Sequence, residues 1–185
     1  KLPDLLASTR MLTCGEDLGM IPDCVPDVMR ELRILSLEIQ RMPKDTRHEF
    51  ADTWCYPYLS VCATSTHDMS PLRAWWKEDR GVTQRFWNQI LGKPGEAPAD
   101  CTPDISLSII MMHLQSASML AILPLQDYLS LEPELCLADP DKERINVPAI
   151  SPFYWRFRMK TTIETLINDD ITGYLRSLIR NCGRR

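Results

Sequence analysis

An α/β fold built on a parallel sheet is what this sequence predicts, on three observations. Four short apolar runs recur along the chain, at residues 11–15, 35–40, 59–64 and 119–123. Segments with helical start signals separate them. Two of the runs lead straight into acidic motifs, Cys14-Gly15-Glu16-Asp17-Leu18-Gly19 and Ser65-Thr66-His67-Asp68. Carboxylates at the C-terminal ends of parallel strands are where barrel enzymes keep their chemistry.

Each run is short, apolar and of the composition that suits a strand buried on both faces. After the first comes a helix with Pro26 in its first turn, ending near Leu32. The second run is followed by a loop over residues 43–57, long enough to suggest binding. After the third, Ser70-Pro71 reads as an N-cap followed by an N1 proline, opening a helix through Trp75 and Trp76. An aromatic pair inside a helix is expected to pack in a core. Thr102-Pro103 repeats the device before residues 105–114, which are apolar nearly all round and therefore buried. His113, on that helix, reads as a satisfied core histidine. Beyond the fourth run lies a second long loop, residues 132–152. Thr161-x-x-Glu164 has the form of a capping box. Asn168-Asp169-Asp170 then separates two helices, the second with Ile171, Leu175, Leu178 and Ile179 on one face. Residues 93–98 are a loop. No repeat or low-complexity segment interrupts the alternation.

Composition narrows the function. The chain has 185 residues, enough for one core, so residues 1–185 are expected to form a single domain with no second one. A net charge of −4 argues against nucleic acid as a partner. The longest apolar run, residues 119–125, contains Pro124 and is too short to span a bilayer, so no membrane is expected. No signal peptide is visible, although Lys1 does not look like a natural start. The seven cysteines are odd in number and include no Cys-x-x-Cys, which argues against a disulfide framework and a zinc site and predicts reduced thiols in the cytoplasm. His48, His67 and His113 lie too far apart to suggest a metal cluster. Two carboxylates at strand ends fit general-acid and charge-stabilising roles in glycoside chemistry.

Several motifs together resemble one family. Cys14-Gly15-Glu16-Asp17-Leu18-Gly19-Met20-Ile21-Pro22 resembles the strand-five motif of the 4-α-glucanotransferases, the amylomaltases or disproportionating enzymes of glycoside hydrolase family 77. Thr66-His67-Asp68 resembles the strand-seven motif. Leu125-Gln126-Asp127 and Arg144-Ile145-Asn146-Val147-Pro148 resemble the strand-eight region, and Tyr154-Trp155-Arg156-Phe157-Arg158 an element near the C-terminus. Gln40-Arg41-Met42-Pro43 and Leu72-Arg73-Ala74-Trp75-Trp76 are similar to the cytosolic, plant-type branch, which also occurs in bacteria.

The resemblance implies the C-terminal half of a (β/α)8 TIM barrel, strands five to eight with the following helices. It implies retaining transglycosylation, in which an enzyme carboxylate attacks the anomeric carbon and a second sugar takes the glucosyl-enzyme. Carried over by position, Glu16 would be the general acid/base. Asp68 would stabilise the oxocarbenium-like transition state, and His67 would hydrogen-bond a sugar hydroxyl or the developing charge. Asn146 and Gln126 would be weaker substrate contacts. No metal and no organic cofactor is implied, and the partners would be α-1,4-glucans and maltose. Trp54, Tyr56 and Tyr58, before the third apolar run, are candidates for stacking on sugar. The family's nucleophile, an aspartate in an Arg-x-Asp-His setting on strand four, does not occur here. Met69 stands where many relatives carry Asn, and Ala149 where many carry Gly.

The chain therefore reads as a C-terminal piece of a larger enzyme, inactive alone, whose open half-barrel would pair with a second copy or with the missing N-terminal half. Its rivals are a catalytically inert association unit and a glucan hydrolase. For single residues the bland alternatives are that Glu16 caps the helix after its strand and that Asp68 accepts local backbone hydrogens. Asp17, turned the other way by strand alternation, is expected to bond backbone amides.

Overall fold

The computed structural model describes residues 1–153 and 155–185. Tyr154, the first residue of the C-terminal aromatic motif, lies outside the described residues. The chain forms two compact units, Lys1–Ala63 with Ser116–Ile122, and Thr64–Gln115 with Leu123–Arg185.

The first unit is built on a parallel sheet. Strands β1 (Ser36–Ile39), β2 (Ser60–Ala63) and β3 (Leu120–Ala121) lie in the order β1-β2-β3, with Ser36 opposite Ser60 and Val61 opposite Leu120. β2, the central strand, is buried at all four positions, as a strand covered on both faces must be. A parallel bridge from Cys14 to Leu35 sets the first apolar run beside the chain entering β1. All four runs thus lie side by side in the predicted order.

Two of them are shorter than predicted. At residues 11–15 the ladder makes two rungs, Leu35 N–H to the Thr13 carbonyl (2.9 Å) and Gly15 N–H to the Leu35 carbonyl (2.8 Å). The next rung is taken by a side chain, since Leu37 N–H donates to Asp17 Oδ1 at 2.9 Å. The strand stops there. β3 is cut to two residues by Pro124, which follows it closely. Helix α1 (Leu2–Ala7) buries nothing, and α2 (Val25–Glu31) carries Pro26 in its first turn, as expected. Met29 of α2 crosses so close to residue 15 that a Cβ there would lie 3.0 Å from its methyl carbon, which accounts for Gly15.

The second unit is helical: α3 (Leu72–Glu78), α4 (Arg80–Arg85) continuing as a π turn over Phe86–Ile90, α5 (Pro103–Leu114), α6 (Leu125–Leu129), α7 (Ile163–Ile167) and α8 (Asp170–Asn181). Trp75, Trp76 and Phe86 are buried and meet edge to face, with ring centroids 5.2–6.3 Å apart, so the tryptophans are core residues. Thr102 caps α5, accepting from Ile105 N–H. His113 is fully buried, with Nδ1 2.8 Å from the Ile109 carbonyl.

Two cap assignments need correction. Pro71, not Ser70, is the N-cap of α3, and the Ser70 hydroxyl bonds Glu78 instead. Thr162, not Thr161, caps α7 by accepting from Thr165 N–H, which puts Glu164 at N2 and breaks the capping-box spacing. The 43–57 and 132–152 loops contain short 3₁₀ turns at Thr53–Cys55, Pro133–Leu135 and Pro140–Glu143. All seven cysteines are free thiols. Among the described residues, no helix is long and apolar enough to cross a membrane.

Candidate functional site

In the second unit the loop joining Thr64 to α3 carries His67 and Asp68. One carboxylate holds both ends of it. Asp127, fully buried in α6, accepts from Thr64 Oγ1 at 2.5 Å through Oδ2 and from Leu72 N–H at 2.8 Å through Oδ1. It therefore supplies the cap that Pro71 cannot, from 55 residues away. Reading the sequence, we singled out Gln126 in this motif and passed over its neighbour. Proline at the N-cap of α3 was the available signal, because it leaves the first amides of that helix in need of an outside acceptor.

Within the loop, His67 and Asp68 are exposed, with Nε2 and Oδ2 3.5 Å apart. Asn146 reaches them from the 132–152 loop. Its side-chain amide donates to Asp68 Oδ1 at 2.5 Å and its backbone N–H donates to the His67 carbonyl at 3.1 Å. Arg144 donates to the Asp68 carbonyl at 3.4 Å and faces Glu78 at 3.6 Å. The Trp155 ring lies 5.1 Å from the His67 ring and is exposed. Three residues singled out from the sequence, His67, Asp68 and Asn146, thus form one cluster. An exposed carboxylate with one oxygen fixed by an amide and the other beside an imidazole is an oriented acceptor for sugar hydroxyls and for positive charge.

Gln126 sits apart from solvent, buried, and its side-chain amide donates to the Glu143 carbonyl at 3.1 Å. Glu143 is itself buried. Its Oε1 accepts from Arg73 and from Leu137 N–H, each at 2.9 Å. Burial pushes its carboxyl above the ordinary value, against the pull of Leu137 N–H and the Arg73 guanidinium. This polar cluster ties the loop that bears Asn146 to α3.

In the first unit Glu16 is exposed on the turn after the Cys14–Leu35 bridge, while Asp17 is buried, as the alternation predicts. Asp17 bonds the Leu37 amide rather than amides of its own turn. Its Oδ2 accepts from Lys44 Nζ at 2.7 Å, and Lys44 also donates to Glu38 Oε1 at 2.7 Å. Ser36 Oγ donates to the same Glu38 oxygen at 2.8 Å. These residues line a cavity of about 290 Å³ with Met29, Ile34 and Leu59.

Of the aromatic candidates before β2, Trp54 and Tyr58 are exposed. Tyr56 is buried, and burial pushes its phenol well up, so it offers no face for stacking. Among the described residues no group of three or more His, Cys, Asp or Glu is arranged to hold a metal ion.

A family model described as 4-alpha-glucanotransferase matches residues 2–164. The chain is 45% identical over 184 residues to the 4-alpha-glucanotransferase DPE2 of Oryza sativa subsp. japonica, a match that covers 99% of this chain and 20% of that protein. It is 36% identical over 168 residues to the 4-alpha-glucanotransferase of Chlamydia trachomatis serovar D, covering 89% of this chain and 31% of the other. The fold is similar to that of the amylomaltase from Streptococcus agalactiae in complex with acarbose, with TM-score 0.69, 16% identity, and coverage of 99% of this chain and 35% of that one. The amylomaltase from Corynebacterium glutamicum gives TM-score 0.64 at 14% identity, covering 94% and 29%. The chain thus spans between a fifth and a third of the length of these curated relatives.

Proposed function

We propose, from the premise that this chain belongs to the 4-alpha-glucanotransferase family, that the protein carrying it moves α-1,4-linked glucosyl or maltosyl units between glucans with retention of configuration. Residues 1–185 are read as one part of its catalytic barrel, the C-terminal half with strands five to eight, and the protein as cytoplasmic. The observation that carries the reading is the Asp68–Asn146 hydrogen bond of 2.5 Å with His67 beside it. It brings together, across 78 residues of sequence, three positions that the family motifs single out.

In this reading Glu16 gives its proton to the glycosidic oxygen as the C1–O bond breaks, and later takes one from the acceptor hydroxyl. Asp68, oriented by Asn146, faces the positive charge that develops on the sugar ring. His67 donates to a sugar hydroxyl. Gln126 remains a candidate contact, with its amide engaged on the segment that leads to Asn146. The nucleophile lies outside this chain.

The test is transfer from maltotriose. In the complete protein, Glu16→Gln and Asp68→Asn should each lower kcat by roughly two to four powers of ten. The isolated 185-residue chain should release no glucose above a Glu16→Ala control, because no glucosyl-enzyme can form without the nucleophile. Wild-type rates in either variant, or glucose release by the isolated chain, would overturn the assignment.

A further inference from the structure

We infer that Lys44 is a positioning residue for Glu16, acting through Asp17. The inference rests on the reading of Glu16 as the acid/base. Its basis is the way the first strand ends. Gly15 N–H is held by the Leu35 carbonyl, and two residues on, the Asp17 carboxylate takes the Leu37 amide that the ladder would otherwise give to a backbone carbonyl. Glu16 is the residue between these two attachments, turned outward because both of its neighbours are turned in. A side chain can serve as a rung only if it keeps one rotamer. Lys44 secures this, because its ammonium lies 2.7 Å from the other oxygen of Asp17.

Lys44 is itself placed by Glu38 at the same distance, and Glu38 is fixed by Ser36. Asp17 and Glu38 are 4% and 8% exposed, so neither carboxylate can turn to solvent for a substitute partner. The loop after β1 thus reaches back to lock the turn that bears Glu16. Removing the ammonium leaves two buried carboxylates facing each other across the cavity. Without that partner the Asp17 side chain is drawn off the Leu37 amide, and the Glu16 backbone is freed.

The experiment separates a misplaced proton donor from a damaged protein by changing the leaving group. Maltotriose needs a proton on the departing oxygen, whereas α-maltosyl fluoride expels fluoride ion without one. In the complete protein, Lys44→Met should lower kcat on maltotriose by about ten- to a hundredfold, leave KM within about twofold, and leave kcat/KM for fluoride release from α-maltosyl fluoride, which reports only the first step, nearly intact. Asp17→Asn keeps an oxygen for Leu37 but loses the ion pair, and should show the same selective loss. Lys44→Arg should recover most of the rate. Equal losses on both substrates, or no loss in either variant, would overturn the inference. Glu16→Gln is the control for the underlying reading. If it fails to spare kcat/KM for fluoride release, the acid/base assignment is wrong. If it spares the fluoride while Lys44→Met does not, the positioning role alone is wrong.

Discussion

Asp127 has no surface exposed to water. Its carboxylate accepts from a hydroxyl, Thr64 Oγ1, and from a backbone amide, Leu72 N–H. Truncation to alanine would take this buried acceptor from both donors, and each buried hydrogen bond lost in this way costs about 1–3 kcal/mol. Asp127→Ala is therefore expected to lower unfolding free energy by about 2–4 kcal/mol in denaturant titration. A loss below 0.5 kcal/mol would mean that water or another acceptor reaches those donors. The same residue marks how the site was legible in the sequence. His67, Asp68 and Asn146 were visible because they stand in recognisable motifs. Asp127, Lys44 and Glu143 were not, because a buried carboxylate and its partner are chosen by the tertiary fold, and nothing local in the sequence shows which amide a carboxylate 55 residues away will meet.

At the scale of elements, the apolar runs predicted which segments pair and in what order, since a buried parallel strand needs little more than a short stretch of apolar residues. They did not predict where pairing stops. The first run ends at the point where the Asp17 side chain displaces a backbone rung, and a pattern of hydrophobicity contains no trace of that competition. Helix starts were legible where a single threonine decides the matter, as at Thr102, and misread where proline and a distant carboxylate share the task, as at Ser70 and Pro71. The two cases predict different responses. Thr102→Ala should cost about 1 kcal/mol, the ordinary loss of an N-cap, measured by the shift of the denaturation midpoint at constant m-value. Ser70→Ala should leave the start of α3 unchanged, because Leu72 N–H is held by Asp127. The bounds of the α4 helix and its π continuation are not legible in the sequence because Gly81 and the β-branched Val82 and Thr83 weaken the helical signal, while Asp79 restores it by accepting from Gly81 and Val82 N–H.

For the molecule as a whole, the sheet of the first unit ends on one side at residues 11–15 and on the other at β3, with Met11, Leu12 and Ile122 exposed nearby. Open edges with apolar neighbours recruit partners. Light scattering on the purified chain over a dilution series should give a mass above that of one chain. A monodisperse single chain at micromolar concentration, unfolding cooperatively, would count against the half-barrel reading itself. The division of the chain has a further consequence. The first unit is discontinuous, since β3 and the residues before it return to it only after Thr64–Gln115 have been built into the second. During synthesis β2 must therefore wait. Its Ser60 hydroxyl meets Ser118, and its Cys62 thiol meets Ser116, only once that stretch has left the ribosome. Until then the central strand of the finished sheet is a bare edge in a nascent chain, and the helices α3 to α5 emerge before anything can cover it.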